Sequence, residues 1–229
     1  MNLHSNLATN LFKQSSVKAL QQFNYFIVLD FEATCLKNEK ICPQEIIEFP
    51  AIILSDKSFQ PIAHFQSFVK PVFRPLLSDF CMELTGITQK QVNNAPIFPE
   101  VLRAFDKWIN ECIPNWNIED NYIFVTCGNW DLGRILPENL ILHNMQLPTY
   151  FKRWVNIKES FSDATNKYVS TLPAMLSYLH LPMHGRLHSG FDDCMNICRI
   201  VQQLGYRYHH MFKCANVVRQ KENKPNSIH

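Results

Sequence analysis

The chain has 229 residues, of which 46% are hydrophobic and 12% aromatic, and its formal net charge at pH 7 is +2. This length and composition predict one globular domain with a sizeable core, and they exclude a disordered chain and a repeat array. No apolar stretch approaches the length of a membrane span, so we expect no membrane partner.

Residues 1–22 contain no acidic residue, and we expect them to form a flexible leader. Their two lysines, together with several Ser and Asn, faintly resemble a mitochondrial presequence, but the arginines of such a segment are missing. We therefore expect an intracellular protein, cytoplasmic or nuclear, with a mitochondrial location as the alternative. The eight cysteines follow no secretory signal, so we expect reduced thiols.

The first predicted strand is the apolar run 25–29, which leads into two acidic residues, Asp30 and Glu32. A run that is apolar at every position is typical of a central strand buried on both faces. Side chains alternate along a strand, so the two carboxylates should emerge on one face with Phe31 opposite. Neighbouring buried anions are costly unless they share a proton or bind a cation, and a divalent metal would neutralise both.

Two further strands are predicted at 46–54 and 59–69, forming a hairpin at one edge of the sheet. Glu48, on the first of them, either supports the acidic pair or faces solvent. Ser78 and Thr88 are suitable N-caps for the helices that come next. The predicted helices of this part of the chain are 76–85, 88–93 and 98–112.

A second buried strand, 121–126, precedes a Gly turn and then Asp131, which is predicted to begin a helix at the carboxyl edge of the sheet. This helix, 131–145, contains Pro137, which requires a kink or a restart. Two more helices are predicted, at 158–164 and 171–179.

The last predicted helix, 192–204, places two adjacent acidic residues on different faces. Asp193 shares a face with apolar residues and should therefore point inward. Asp192 shares its face with Asn196 and Arg199, and we expect a solvated acid that the helix dipole favours.

Three motifs thus follow one another along the chain: Asp30-x-Glu32-Ala-Thr, Gly128-x-Trp-Asp131 and His188-x-x-x-x-Asp193. Together they resemble the DEDDh exonucleases of the ribonuclease H-like, DnaQ-like superfamily. Connecting motifs such as Leu84-Thr-Gly-Ile-Thr88 and His188-Ser-Gly-Phe-Asp-Asp193 are similar to those of the Eri-type exonucleases, relatives of the histone-mRNA 3′-exonuclease. The resemblance extends over roughly residues 25–204.

This resemblance implies an α/β fold of the ribonuclease H-like type, a mixed five-stranded sheet flanked by helices on both faces. We expect residues 23–206 to form the exonuclease domain, between the leader 1–22 and a basic C-terminal tail, 207–229. The tail carries five Lys or Arg against one Glu. This charge suits RNA phosphates, and a solvated, frayed terminus is the alternative.

The resemblance also implies a metal site. Asp30 would bridge two divalent ions, and Glu32 and Asp193 would complete the site on the nucleophile side. Asp131 would hold the ion on the leaving-group side, partly through water. Carboxylate oxygens are hard ligands that select Mg²⁺, and we expect Mn²⁺ to substitute for it.

His188 is the candidate general base, because imidazole titrates near neutral pH and can take a proton from activated water. Gly190, two residues later, is expected to give its loop the freedom to deliver the ring. A single His is as easily a surface or core residue, and a single Asp a helix cap. All five positions at family spacing favour the functional interpretation.

Two aromatic residues beside these motifs, Phe80 and Trp130, would line the pocket for the terminal nucleotide. Stacking on an aromatic face tolerates any base, although both residues could instead be ordinary core. The backbone at Ala33 and Thr34 would contact the 3′-terminal sugar, again by resemblance.

The resulting prediction is a metal-dependent 3′–5′ exoribonuclease that releases 5′-mononucleotides from single-stranded or overhanging RNA 3′ ends by a two-metal-ion mechanism. The first alternative is a DNA-directed or sugar-tolerant exonuclease acting on single-stranded DNA, which would share every catalytic residue. The second is a non-catalytic RNA-binding scaffold, for which a damaged acidic set would be expected. No feature of the sequence predicts an oligomeric state.

Overall fold

A computed structural model of the chain describes residues 21–116 and 121–215, in which a mixed sheet lies between two layers of helices. The predicted α/β fold is thereby confirmed. The strands are β1 (Tyr25–Leu29), β2 (Glu32–Ala33), β3 (Ile46–Ser55), β4 (Pro61–Phe68), β5 (Tyr122–Thr126) and β6 (Trp154–Asn156). The helices are α1 (Asp79–Thr85), α2 (Gln89–Asn93), α3 (Phe98–Cys112), α4 (Leu136–Leu142), α5 (Ile157–Thr165), α6 (Leu172–Tyr178) and α7 (Gly190–Tyr206).

The spatial order of the sheet is β4-β3-β1-β5-β6, with β1 antiparallel to β3 and parallel to β5. Leu29 lies opposite Ala51, and Glu32 of β2 lies opposite Glu48 in the same register. Strand β2 therefore continues β1 along one edge of β3 after two unpaired residues. The sheet is five strands wide, as predicted, although it contains six strands.

Alternate residues of β1 enter different layers of the core. Ile27 and Leu29 pack with α3 and α4, whereas Phe26 and Val28 pack with α5, α6 and α7. All four side chains are fully buried, and burial of each stabilises the fold by about 1.5–3 kcal/mol. The prediction of a central strand buried on both faces is correct.

Side-chain caps set the starts of two helices. The Ser78 hydroxyl accepts a hydrogen bond from the backbone N–H of Cys81, so α1 begins at Asp79, three residues later than predicted. Thr88 and Gln91 form a reciprocal capping box at the start of α2. Both predicted N-caps are confirmed.

The predicted helix 131–145 begins with a π-helical turn, Asp131–Ile135, before α4. The Leu136 N–H donates to the Asp131 carbonyl, five residues back. Pro137 then lies in the first turn of α4, where its missing N–H costs nothing. The restart that Pro137 requires is thus a π-helical turn, a feature often found beside functional residues.

Most of the predicted leader and of the predicted tail lies outside the described residues. Within the part described, Phe212 is fully buried and its ring lies 5.2 Å from that of Phe26. The Ala215 N–H donates to the carbonyl of Trp154 over 2.8 Å. No helix in residues 21–116 and 121–215 is long and apolar enough to cross a membrane, and all eight cysteines are free.

Candidate active site

Four acidic side chains meet at the carboxyl end of the central strand. Asp30 follows β1, Glu32 begins β2, Asp131 begins the π-helical turn and Asp193 lies in the first turn of α7. The exposed fractions of Glu32, Asp131 and Asp193 are 8%, 4% and 3%. The structure therefore brings together the four acids that the sequence singles out.

The two adjacent acids of α7 have different surroundings. Asp193 is buried, as its helix face predicts, whereas Asp192 is partly exposed. Oδ2 of Asp193 accepts the backbone N–H of His188 over 2.8 Å. Oδ1 of Asp193 is buried and has no hydrogen-bond partner among the described residues. A buried acceptor without a partner costs about 1–3 kcal/mol, so this oxygen is suited to bind a cation.

Burial raises the pKa of every carboxyl in the cluster, and repulsion from other acids of the cluster raises it further for Asp30 and Glu32. Burial, followed by the charges of Asp193 and other acids, raises the pKa of Glu32 to about 9. The pKa of Asp30 also lies well above its usual value, first through burial and then through Asp131. The pKa of Asp131 and that of Asp193 rise to about 6, because burial outweighs the backbone hydrogen bond that each accepts.

The donor set fits a divalent metal ion. Ligand atoms of Glu32, His188 and Asp193 lie within 4.8 Å of one another. Carboxylate oxygens are the ligands of hard cations, and a cation would satisfy Oδ1 of Asp193 while offsetting the repulsion. This geometric group includes His188 in place of Asp30 and Asp131, so His188 lies close enough to the acids to act beside them or as a ligand.

His188 lies on the irregular segment between α6 and α7, and its side chain is exposed. Its backbone φ of 64° is in the left-handed region, which is unusual for a residue other than glycine. Such a conformation persists only where surrounding contacts impose it. The hydrogen bond from its N–H to Asp193 is one of these contacts.

Gly190 has a different role from the one expected. It is buried at the start of α7 rather than free in a loop. A Cβ atom there would lie 2.7 Å from the carbonyl oxygen of Asp30 and 3.1 Å from Oε2 of Glu48. Glycine is therefore required for the close approach of α7 to the sheet.

Glu48 is buried beside the cluster. Of its two predicted positions, beside the acidic pair or facing solvent, the structure shows the first. Strand β4 covers the edge of β3, and Glu48 is 2% exposed. Its carboxylate accepts hydrogen bonds from Nε2 of Gln66 over 2.8 Å and from the N–H of Gly190 over 3.1 Å. Glu48 thus connects β4 and α7 to the strand pair that carries Glu32.

A cavity of about 290 Å³ opens beside the acids. Of the residues predicted to bind substrate, Ala33 and Trp130 line it, whereas Phe80 and Thr34 do not. Thr34 is 2% exposed, and its hydroxyl accepts the N–H of Glu45 over 3.0 Å. The predicted site residues in the cavity wall are Asp30, Glu32, Ala33, Trp130, Asp131 and His188.

The cavity wall also contains residues that sequence reasoning missed. Leu84 follows Phe80 by one turn of α1, so helical spacing could have identified it. Cys127 follows β5, and Cys35 follows β2. Lys158 on α5 partly offsets the rise in the Asp131 pKa that burial causes, and no motif indicates this nearby positive charge.

The chain matches the family model RNase T, described as an exonuclease, over residues 27–201. ERI1 exoribonuclease 3 of Homo sapiens is 43% identical over 189 residues, which are 82% of this chain and 55% of that protein. The 3′-5′ exoribonuclease 1 of Homo sapiens is 35% identical over 185 residues, or 80% of this chain and 52% of that protein. The chain thus spans about half the length of these curated relatives.

Solved structures of nucleases are also similar to this chain. The nuclease domain of 3′hExo, a DEDDh family member bound to rAMP, superposes with a TM-score of 0.78 at 33% identity, covering 83% of this chain and 96% of that one. Cell-death related nuclease 4 (CRN-4) superposes with a TM-score of 0.79 at 28% identity, covering 85% and 68%. A structure of 3′-exonuclease recognising the histone mRNA stem-loop gives 0.78 at 31% identity, covering 84% and 85%.

Proposed function

Because the chain belongs to the RNase T exonuclease family and to its DEDDh members, we propose that it is a divalent-metal-dependent 3′–5′ exoribonuclease. The cluster of four carboxylates, three of them buried, with an unpartnered oxygen on Asp193, carries the proposal. The names of the matching relatives, ERI1 exoribonuclease 3 and 3′-5′ exoribonuclease 1, support RNA as the substrate. The intact acidic set disfavours a non-catalytic scaffold.

We further propose two Mg²⁺ ions as the cofactor, with Mn²⁺ as a working substitute. The ligands would be Asp30, Glu32, Asp131 and Asp193. When bound, such ions supply a nucleophile at neutral pH and stabilise the charge that develops on the phosphate and the leaving oxygen. The raised pKa values suit this role, because a cation displaces the protons that the carboxyls otherwise retain.

His188 is proposed to act as the general base. Its imidazole is exposed to solvent, so it can take a proton from the attacking water and release it to bulk. Asp193 holds the backbone of the same residue through the His188 N–H. The ring would therefore be delivered to the acids from the open side of the site.

The cavity would hold the terminal nucleoside. Trp130 offers an aromatic face, Leu84 an apolar wall and Ala33 a backbone surface. If this cavity accepts one terminal nucleoside and no continuing chain, the products should be 5′-mononucleotides released from the 3′ end. A 3′-phosphate would bring about two negative charges to the carboxylate cluster and should block digestion.

The test uses 5′-end-labelled RNA, the same RNA with a 3′-phosphate, circular RNA and matching DNA, each with Mg²⁺ or EDTA. We expect a ladder of shortened products only from linear 3′-hydroxyl RNA with Mg²⁺. Asp30→Asn should be inactive, and Asp163→Asn, which changes an exposed acid of α5, should match the wild type. Cleavage of circular RNA would contradict the proposal, and equal digestion of DNA would favour the sugar-tolerant alternative.

A further inference from the structure

The segment between α6 and α7 carries His188 yet has no regular secondary structure of its own to position it. Most of its residues are exposed, and two of them besides His188 have left-handed backbones, His180 and Gly185. The position of the ring therefore depends on contacts that this segment makes with neighbouring elements.

One set of contacts comes from the polar face of α7, which binds the backbone of the segment. Oδ2 of Asp192 accepts the Arg186 N–H over 2.9 Å. Asn196 accepts the N–H and donates to the carbonyl of His184, both over 2.9 Å. Helix α7 thereby holds the segment from one side.

A second contact joins the segment to the end of α1. The guanidinium of Arg186 donates to the carbonyls of Glu83 and Leu84 in the last turn of α1, the latter over 3.2 Å. Carbonyls at the end of a helix have no partner within it, and a cation there is favoured by the helix dipole. Gly86, with φ of 75°, leaves the space, because a Cβ atom there would overlap the Arg186 guanidinium.

The two elements that Arg186 joins both contribute residues to the wall of one cavity. Leu84 lines it from α1, and His188 lines it from the segment two residues beyond Arg186. The guanidinium of Arg186 forms no ion pair with a carboxylate of the described residues, and its hydrogen bonds go to backbone carbonyls.

We propose that Arg186 is a positioning residue, which fixes His188 relative to the acidic cluster by tying its segment to the end of α1. The inference rests on the proposed exonuclease activity, with His188 as its base. Misplacing a reacting group by about 1 Å can cost about 100-fold in rate. We expect loss of the tether to lower kcat while leaving substrate and metal binding nearly intact.

The kinetic test compares Arg186→Ala and Arg186→Lys with Arg103→Ala, which removes an exposed arginine from α3. Arg186→Ala should lower kcat by about 10- to 100-fold. Its KM and its Mn²⁺ affinity should stay within about twofold of the wild type. Arg186→Lys should recover part of the loss, because its ammonium can still donate to one carbonyl. Arg103→Ala should have no effect.

A double-mutant cycle with Gly86→Ala separates the tether from a local effect on α1. Gly86→Ala should displace the guanidinium and reproduce the kcat defect, and the double variant should be no worse than Arg186→Ala alone. A defect of Arg186→Ala in KM alone would make Arg186 a substrate-binding residue. Wild-type kinetics of that variant would show that α7 holds the segment unaided. Either result overturns the proposal.

Hydrogen exchange tests the tether without any need for activity. In Arg186→Ala the amides of residues 184–189 should exchange about tenfold faster or more than in the wild type, while those of β1 stay unchanged. Faster exchange in a protein that digests no RNA would mean that the proposed function has failed and the tether stands. Unchanged exchange in an active enzyme would reject the tether alone.

Discussion

The two sides of the site are built in different ways. The carboxylates of Asp30, Glu32 and Asp131 belong to strand ends and a helix start that are packed into the core. His188 belongs to an exposed segment that is held by side chains of α7 and by the Arg186 guanidinium, which donates to a backbone carbonyl of α1. The acids are therefore fixed in position by the core, and their negative charges repel one another. The histidine is exposed, and its position depends on the hydrogen bonds that hold its segment.

Substitutions on the two sides of the site should therefore have different effects. On the acidic side, changing one residue alters both the chemistry and the stability, because a buried repulsive charge is removed. On the histidine side, a change alters the geometry of the reaction and leaves the core unaffected. Substitutions on each side can test this difference between the acidic side and the histidine side.

The largest effect is expected from the acids. Asp30→Ala and Asp193→Ala should each lower the single-turnover rate by about 10⁴-fold or more, and the double variant should be no slower than either. The reason is that the four carboxylates would bind metal as one unit. Asp163→Ala, an exposed acid of α5, is the matched control. A double variant slowed by the product of the two single effects would show that the acids act independently.

A smaller loss is expected from His188→Ala, about 10²- to 10⁴-fold in rate, because one general base is lost. Isothermal titration should show Mn²⁺ affinity close to the wild type, in contrast to Asp193→Ala. The ligand atoms of His188 lie near those of Glu32 and Asp193, so the titration is a demanding test. Loss of Mn²⁺ affinity equal to that of Asp193→Ala would make His188 a metal ligand. The acidic side and the histidine side of the site would then not differ in function.

The sequence predicts the acidic side well, because regular periodicity determines it. Alternation along β1 places Asp30 and Glu32 together, and helical spacing turns Asp193 inward. Both arguments need only local geometry. The two N-caps follow in the same way from short-range patterns, whereas the five-strand width of the sheet is what the family resemblance implies.

The histidine side could not be predicted to the same depth. The polar face of α7, with Asp192 and Asn196, has the same pattern as a solvated helix face, yet these side chains bind the backbone of a distant segment. Glu48 allowed two interpretations, because strand register is a long-range property. The sequence predicts loop freedom for Gly190, because only the packed structure reveals how closely α7 approaches Asp30.

Metal-free stability should depend on pH through the acidic cluster. Their folded pKa values are raised, to about 6 for Asp131 and Asp193 and to about 9 for Glu32. The folded state thus retains protons that the unfolded chain has lost above pH 4, so stability falls as pH rises.

In EDTA, scanning calorimetry should show a Tm at least about 5 °C lower at pH 8 than at pH 5.5. Mg²⁺ should recover the loss at pH 8 and have little effect at pH 5.5. Asp30→Asn should flatten the dependence, and His188→Ala should leave it unchanged. A Tm that rises with pH in EDTA would mean that the cluster is ionised and stabilised by groups of the protein itself.

The smallest effect separates two adjacent acids of α7. Asp192→Ala removes the acceptor of the Arg186 N–H, and loss of one partly exposed hydrogen bond costs about 1 kcal/mol. Because Asn196 and the Arg186 guanidinium still hold the segment, the rate should fall by at most about tenfold. Asp192→Asn, whose amide oxygen can still accept, should be close to the wild type, while Asp193→Asn should be nearly inactive. Calorimetric Mn²⁺ titration of both Asp192 variants should match the wild type. If Asp192→Ala lost activity and Mn²⁺ affinity as fully as Asp193→Ala, Asp192 would belong to the metal site, and the face assignment of α7 would be wrong.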